Sequence, residues 1–342
     1  MISMESSMRV AILKEAKGRL QIEDRAVPTP GYGEVLIKVH ACGVCHGDLM
    51  VRNGEFPFVR YPIVPGHEVA GVVERLGPGV NHPKVGTRVG VPWLYCACGH
   101  CKQCVLGDEV LCAEVQSTGM TRDGGYQEFM IAQAAYVLPL PDALTFSDAA
   151  PLMCAGLSVY SGLYHARMKP NDKVAVLGLG GLGEMAAQFA RAMGGRVAIV
   201  SSTKQKEARA RELGAEKFIH QGSESVDEAL RSWDGGADII VHVAPSPDSL
   251  DAALRGLGTD GTFLLLAPVP VSVDPFNLLM RRQRIMGSSS GSRKELRATL
   301  DLAAAHGIRP RVRHFRLDDA NDALAELETK RPAGRILLSM HE

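Results

Sequence analysis

Residues 9–150 carry short β-branched runs broken by glycine and proline. Val35, Leu36, Ile37 and Val39 form one such run, and Val69, Val72 and Val73 another. Runs of this length bounded by turn residues predict strands and loops. From Lys173 the pattern changes. Apolar stretches at 174–177, 197–200 and 239–243 alternate with segments whose apolar residues recur every three or four positions, which predicts helices over 182–193 and 204–213. Such alternation builds a parallel sheet with helices on both faces. Towards the C-terminus the pattern is mixed again, predicting a strand at 315–317, a helix over 319–330 and a closing strand at 335–339. No repeat or low-complexity tract separates the halves, which are expected to share a cleft.

At 342 residues the chain exceeds one ordinary core, in keeping with two domains. Lys plus Arg (38) equals Asp plus Glu (38), and no run of like charge forms an arm or tail. That balance leaves no electrostatic footprint for nucleic acid or anionic lipid and predicts a small-molecule partner. Residues 1–8 lack the basic start and apolar run of a secretory signal, and no segment approaches the roughly 20 apolar residues of a bilayer span. A cytoplasmic location is therefore expected, with no membrane partner. Eight cysteines are many for this length, and in a reducing compartment clustered cysteines are more often metal ligands or reactive groups than disulfides.

Four of them, Cys98, Cys101, Cys104 and Cys112, are separated by two, two and seven residues. Two-residue gaps let neighbouring thiolates turn onto one ion, and four sulfurs close a tetrahedral Zn²⁺ shell. A closed shell is structural: it pins an irregular lobe and does no Lewis-acid chemistry. The competing assignment is chance burial or disulfide pairing. Cys96 and His100 stand beside the set as bystanders, and Cys42 is expected to be a packed apolar residue.

The run Gly178-Leu-Gly180-Gly181-Leu182-Gly183 leaves an apolar strand and enters a helix, as a dinucleotide-binding turn requires. Gly178 permits the tight turn, Gly180 lets a pyrophosphate approach the backbone, and Gly183 lets helix and strand pack closely. The helix N-terminus offers free N–H groups to the phosphates. After the second strand, an NAD site usually places Asp or Glu on the ribose hydroxyls. Here Ser201, Ser202, Thr203, Lys204, Gln205 and Lys206 occupy that stretch, with no carboxylate before Glu207. Hydroxyls and lysines suit a 2′-phosphate, so NADP(H) is favoured, with NAD(H) as the alternative. Alternatively, Lys204 and Lys206 are a solvated helix start.

Other motifs occur in a fixed order: Cys45-His46-Gly47-Asp48, then Gly66-His67-Glu68, then the four-cysteine segment, then Pro151-Leu-Met-Cys154-Ala-Gly. Together these resemble the signatures of zinc-containing medium-chain alcohol dehydrogenases of the cinnamyl-alcohol-dehydrogenase-like and bacterial branch, over essentially the whole chain. The resemblance implies an α/β protein with a GroES-like, mainly-β catalytic domain (1–157 and 309–342) and a Rossmann domain with a doubly wound parallel sheet (158–308). It makes Cys45, His67 and Cys154 the ligands of a catalytic zinc, which with the four-cysteine site gives two zinc ions per chain. Asp48 becomes the acceptor for the His67 ring N–H, and Glu68 a carboxylate able to approach the metal. It places His46 and Arg335 at the pyrophosphate, Ser158 and Leu182 beside the nicotinamide, and Trp93 with Gly47 at the substrate pocket, although a buried core indole is the plain alternative for Trp93. Similar polyol dehydrogenases usually carry Glu as the third ligand, so Cys154 favours primary alcohols and aldehydes. By the same likeness a homodimer or homotetramer is expected, with 287–291 near a subunit interface.

One departure stands out. The family commonly has Ser or Thr before the Asp of the first motif and often His two residues beyond it, as a proton relay; here those positions are Gly47 and Met50. This gap favours slow alcohol oxidation near neutral pH, or a zinc-stabilised binding protein without turnover. A zinc-finger nucleic-acid binder is the third possibility, and the charge balance argues against it.

Overall fold

The computed structural model describes residues 7–244, 250–330 and 334–340. The chain divides into two compact units: Met1–Leu157 with Gly291–Ala304 and Arg309–Glu342, and Ser158–Ser290 with Ala305–Ile308.

In the first unit β1 (Ser7–Ile12) pairs antiparallel with β2 (Gln21–Ala26). The main sheet is built on β3 (Glu34–Val44), β4 (Val69–Leu76), β5 (Arg88–Val91), β8 (Phe129–Gln133) and β9 (Leu138–Pro139), while β6 (Leu94–Cys96) pairs with β7 (Gln116–Ser117) apart from it. The second unit contains β10 (Lys173–Leu177), β11 (Arg196–Ser201), β12 (Lys217–His220), β13 (Ala237–His242), β14 (Leu257–Leu265) and β15 (Arg284–Gly287). The chain then returns to the first unit as β16 (Val312–Arg316) and β17 (Arg335–Ser339), giving the order β16-β17-β3-β4-β5-β9 with β8 also on β3.

In the first unit, β3 lies between β17 and β4 and is buried at Val35, Leu36, Ile37, Val39 and Cys42. These residues join Val69, Val73, Tyr126, Met130 and Leu338 in one apolar core. Cys42 is thus the packed small residue expected from the sequence.

The six strands of the second unit are all parallel and run β12-β11-β10-β13-β14-β15. This doubly wound order brings ligands to the carboxyl ends of its strands. The unbroken run Val197–Val200 of β11 is buried throughout, as a strand covered on both faces should be.

Some expected boundaries move. The helix expected over 204–213 begins as a 3₁₀ turn, Lys204–Lys206, and becomes α-helical only over Glu207–Glu212. Residues 291–304, assigned from sequence to the Rossmann domain, belong to the first unit. The physical tie is Arg293, which donates to Glu109 Oε1 (2.7 and 2.9 Å) and to the Ala135 carbonyl (3.0 Å) and lies over the Tyr136 ring. Among the described residues no helix is long and apolar enough to cross a membrane.

Candidate active site

Cys45 sits at the N-cap of the helix His46–Asn53, and His67 and Glu68 immediately precede β4. Cys154 follows the 3₁₀ turn Ala150–Met153, all four residues of which are buried. The Cys45, His67, Glu68 and Cys154 ligand atoms lie within 4.8 Å of one another.

Asp48 organises this cluster. Its Oδ2 accepts from Cys45 N (2.9 Å) and the Tyr126 hydroxyl (3.1 Å), and its Oδ1 from Gly66 N (3.1 Å). Oδ1 also lies 3.1 Å from His67 Nδ1. A carboxylate only accepts, so the His67 proton is on Nδ1 and Nε2 is left as a ligand atom. One buried carboxylate thereby fixes the Cys45 loop to the Gly66–His67 loop. Burial alone would depress the His67 pKa, but Asp48 and the Cys45 thiol hold it well above the ordinary value.

The donor chemistry suits a cation. The hydrogen bond from Cys154 lowers the Cys45 thiol and raises that of Cys154 in turn. Glu68, fully buried, is pushed up to about 7 by desolvation despite the pull of Arg335. Its Oε1 accepts from the Arg335 guanidinium, while Oε2 has no hydrogen-bond partner among the described residues. Two thiols, an imidazole and an orphaned carboxylate oxygen in one buried space match the mixed ligation of a zinc site. Arg335, expected at a pyrophosphate, is buried with its guanidinium on Glu68.

His46 is exposed at the first position of its helix. Gly47 packs on His67: a Cβ there would lie 3.0 Å from His67 Cε1 and 3.6 Å from Met120 Cε. Met120 also accepts from Trp93 Nε1, at 3.1 Å. Gly47 therefore lies between the His67 ring and Met120, and Met120 in turn meets Trp93. Met120 and Tyr126 were not legible from spacing, since neither belongs to a ligand-type motif.

Cys98, Cys101, Cys104 and Cys112 also bring their sulfurs within 4.8 Å of one another. Cys98 accepts from Cys101 N (3.4 Å) and Cys112 from Glu114 N (3.3 Å). Backbone N–H groups of His100 and Cys101 pull Cys98 down to about 6, whereas desolvation and the surrounding thiols push Cys104 up to about 12. Four clustered thiols, with backbone N–H groups on the sulfurs of Cys98 and Cys112, fit a closed zinc site. His100 Nδ1 lies 3.0 Å from the Cys98 carbonyl. All eight cysteines are free thiols.

In the second unit Gly178 adopts φ +102°, and Gly180 caps the helix Gly181–Ala192 with no side chain on its free N–H groups. A Cβ on Gly180 would meet nothing within 4 Å, whereas one on Gly183 would run into the Gly178 carbonyl. An open approach above Gly180 and forced contact below Gly183 is what a pyrophosphate-binding turn requires. Leu182 is half-buried, and Ser158 Oγ accepts from Ser290 N (3.2 Å). Ser201 is buried, its Oγ accepting from Thr203 N at 3.1 Å, while Ser202 and Lys204 are exposed and Lys206 is half-buried. Ser201 thus shapes the loop, and its neighbours present the polar surface.

Taken with the sheet order, these sites define a metal-dependent, dinucleotide-linked oxidoreductase. Residues 31–142 match the alcohol dehydrogenase GroES-like domain and residues 181–305 the zinc-binding dehydrogenase domain. The chain is 38% identical over 336 residues, covering 97% of it and 100% of its relative, to an alcohol dehydrogenase of Geobacillus stearothermophilus. It is 37% identical over 327 residues, 95% of this chain and 96% of the other, to an aldehyde reductase of Synechocystis sp.. Among solved structures, a cinnamyl alcohol dehydrogenase from Sorghum bicolor superposes with a TM-score of 0.89 at 30% identity over 98% of both chains. The CAD of Helicobacter pylori complexed with NADP(H) gives 0.88 at 26% identity over 99% of each chain. The chain belongs to the zinc-binding alcohol dehydrogenase family, and is an oxidoreductase.

Proposed function

We propose that this chain interconverts primary alcohols and aldehydes with NADP(H) in preference to NAD(H), binding two zinc ions, one by Cys45, His67 and Cys154 and one by Cys98, Cys101, Cys104 and Cys112. The observation that carries the assignment is the convergence of Cys45, His67 and Cys154 in one buried cluster, with Asp48 holding Cys45 and His67 in place. When bound, zinc supplies Lewis-acid polarisation of a substrate oxygen, and the nicotinamide supplies the hydride acceptor or donor. Asp48 keeps the His67 proton on Nδ1 and so holds Nε2 free as a ligand. Gly47, beside the His67 ring, and the Met120–Trp93 pair next to it supply the apolar side of the substrate pocket in this reading. Gly178, Gly180, Gly181 and Gly183 carry the pyrophosphate, and the 202–206 segment receives the 2′-phosphate.

Gly47 and Met50 carry neither hydroxyl nor imidazole, so His46, exposed one residue from Gly47, is the side chain in this segment able to take a proton towards solvent. Aldehyde reduction is accordingly the favoured direction near neutral pH. A cytoplasmic homo-oligomer fits the exposed apolar helix Pro275–Arg281, with Phe276, Leu279 and Met280 at 66%, 79% and 70% exposure. The test is an initial-rate survey of matched aldehyde and alcohol pairs with NADPH and NADH, alongside elemental analysis. Turnover with neither cofactor, or one zinc or none in active enzyme, overturns the proposal.

A further inference from the structure

The second unit holds a histidine that the zinc and glycine motifs leave unused. His220 ends β12, and its register partner on β11 is Ser201. The two strands leave the sheet side by side, tied by Gln221 N donating to the Ser201 carbonyl at 3.1 Å. The imidazole reaches across this gap. Its Nε2 is 3.3 Å from the Ser202 carbonyl, and its Nδ1 is 3.0 Å from Ser223 Oγ. The ring is therefore attached to the backbone of the segment assigned above to the 2′-phosphate.

We propose that His220 is a further specificity-determining residue for NADP(H), placing a positive charge behind the 2′-phosphate segment that grows as pH falls. The proposal rests on that reading of residues 202–206. A carbonyl only accepts, so Nε2 carries a proton in either charge state. Ser223 Oγ lies within donating distance of both His220 Nδ1 (3.0 Å) and the His220 carbonyl (3.4 Å). With a neutral ring the hydroxyl donates to Nδ1. With a charged ring Nδ1–H donates to Oγ, and the hydroxyl hydrogen turns to the carbonyl. Both charge states keep their hydrogen bonds, so the ring gains its proton without breaking a contact. Histidine is the side chain that changes charge between about pH 5 and 8.

Glu224, on the following loop, accepts from the backbone His220 N at 3.1 Å. Lys204 and Lys206 extend from the loop after β11. On β12 itself, Lys217 is turned to the Ala229 carbonyl and Ser232 Oγ (2.6 and 3.0 Å). Asp227, in the helix Val226–Arg231, is occupied by Ser225, Arg231 and Arg255. A fixed anion arriving beside Ser202 thus meets Lys204, exposed on the same loop, with the His220 ring behind it.

Calorimetric binding of adenosine 2′,5′-bisphosphate and 5′-AMP to the full chain tests this, at about pH 6 and about pH 8.5 on either side of the histidine range. The 2′-phosphate's own titration is common to wild type and variants and cancels in their ratio. His220→Asn should weaken the bisphosphate about threefold to tenfold at the lower pH, with little change at the higher one and none for 5′-AMP. His220→Lys, with a permanent charge, should bind the bisphosphate more tightly than wild type at the higher pH. A loss of equal size at both pH values, or one shared by 5′-AMP, would overturn the proposal by making His220 a strut between the loops. Lys204→Ala separates the two levels: if it weakens the bisphosphate alone while His220→Asn does nothing, the phosphate segment stands and His220 falls. If neither variant matters and wild type binds both probes equally, both readings fall together.

Discussion

The two ligand sets use the same thiol chemistry in opposite surroundings. Cys45, His67, Glu68 and Cys154 come from segments far apart in sequence, and each segment is fastened by other contacts. Asp48 ties two of them, and the Ala150–Met153 turn buries its own apolar residues. The four cysteines from 98 to 112 lie within one short stretch. The helix among them, Lys102–Leu106, contains no buried residue, and Val105, Leu106 and Leu111 are 73%, 58% and 65% exposed. The first set has a protein scaffold that can hold open ligands in place. The second has little apolar burial of its own, so a metal bound there would supply the cohesion. A similar mutation should therefore cost activity in one place and stability in the other.

The largest effect is expected at Cys154→Ser, on the order of a thousandfold or more in kcat/KM, because the Lewis acid that polarises the substrate oxygen is lost. Folding should barely change, since the turn before Cys154 keeps its apolar core, and a thermal midpoint close to wild type checks this. A large fall in midpoint would show that the open site also holds the fold together. Cys104→Ser should reverse the pattern, losing one zinc and lowering the midpoint by about 10 °C or more. Its specific activity per folded molecule should stay near wild type at low temperature. If chelation by EDTA lowers activity and midpoint in strict proportion, the division between the sites is wrong.

Asp48→Asn sharpens the contrast from inside the open site. The amide keeps one accepting oxygen and turns the other into a donor, so it can serve His67 and Gly66 or Cys45 and Tyr126 but not both pairs, and the array that fixes the His67 ring is broken on one side. A fall of about 10 to 100-fold in activity or zinc affinity is expected. Zinc competition with a chromophoric chelator measures it, and an unchanged affinity with unchanged turnover would remove Asp48 from the site.

In the second unit, Ser201→Asp should move the NADPH/NADH ratio of kcat/KM by about tenfold or more towards NADH. The new carboxylate can still accept from Thr203 N, as the Ser201 hydroxyl does, so the loop should survive the change. Wild-type activity that is equal or better with NADH would reject the 2′-phosphate assignment and leave the dehydrogenase assignment intact.

What could be read in advance follows the range of the interaction involved. The glycine turn and the four-cysteine lobe are local, and their spacing alone predicts their form. The closing strand at 335–339 and the alternating units from 173 onward were legible from apolar runs in the same way. The Cys45, His67 and Cys154 set is dispersed, and only the ordered likeness to a family joined it before the geometry did. Contacts decided by long-range pairing were not legible. Arg293 carries 291–304 into the first unit by reaching Glu109, 184 positions away. Arg335 meets Glu68 at a separation of 267, and no local pattern in either segment announces the pair. Tyr126 and Met120 were hidden for a related reason: a tyrosine or methionine in a loop reads as ordinary packing until its hydroxyl or sulfur has an address.

The smallest expected effect concerns the missing relay. Gly47 leaves an exposed histidine, His46, on one side and the His67 ring on the other, and itself carries no hydroxyl. Alcohol oxidation should accordingly be slow near pH 7 and rise with pH, because hydroxide replaces the absent base. Gly47→Ser restores a hydroxyl next to Asp48. The added Cβ would stand 3.0 Å from His67 Cε1, so the ring must yield by a few tenths of an ångström. Serine suits this better than threonine, whose extra methyl group would have to fit beside Met120 as well. The gain in oxidation is expected to be about twofold to fivefold at neutral pH and to vanish near pH 9, where the relay is no longer needed. Aldehyde reduction should change less, since solvent can protonate its product. Matched alcohol and aldehyde pairs assayed across that range decide the point. If wild-type oxidation is flat with pH and faster than reduction, another group carries the proton and Gly47 is only a spacer. If Gly47→Ser lowers both directions equally, the crowding of His67 outweighs the hydroxyl, and zinc affinity should fall with it.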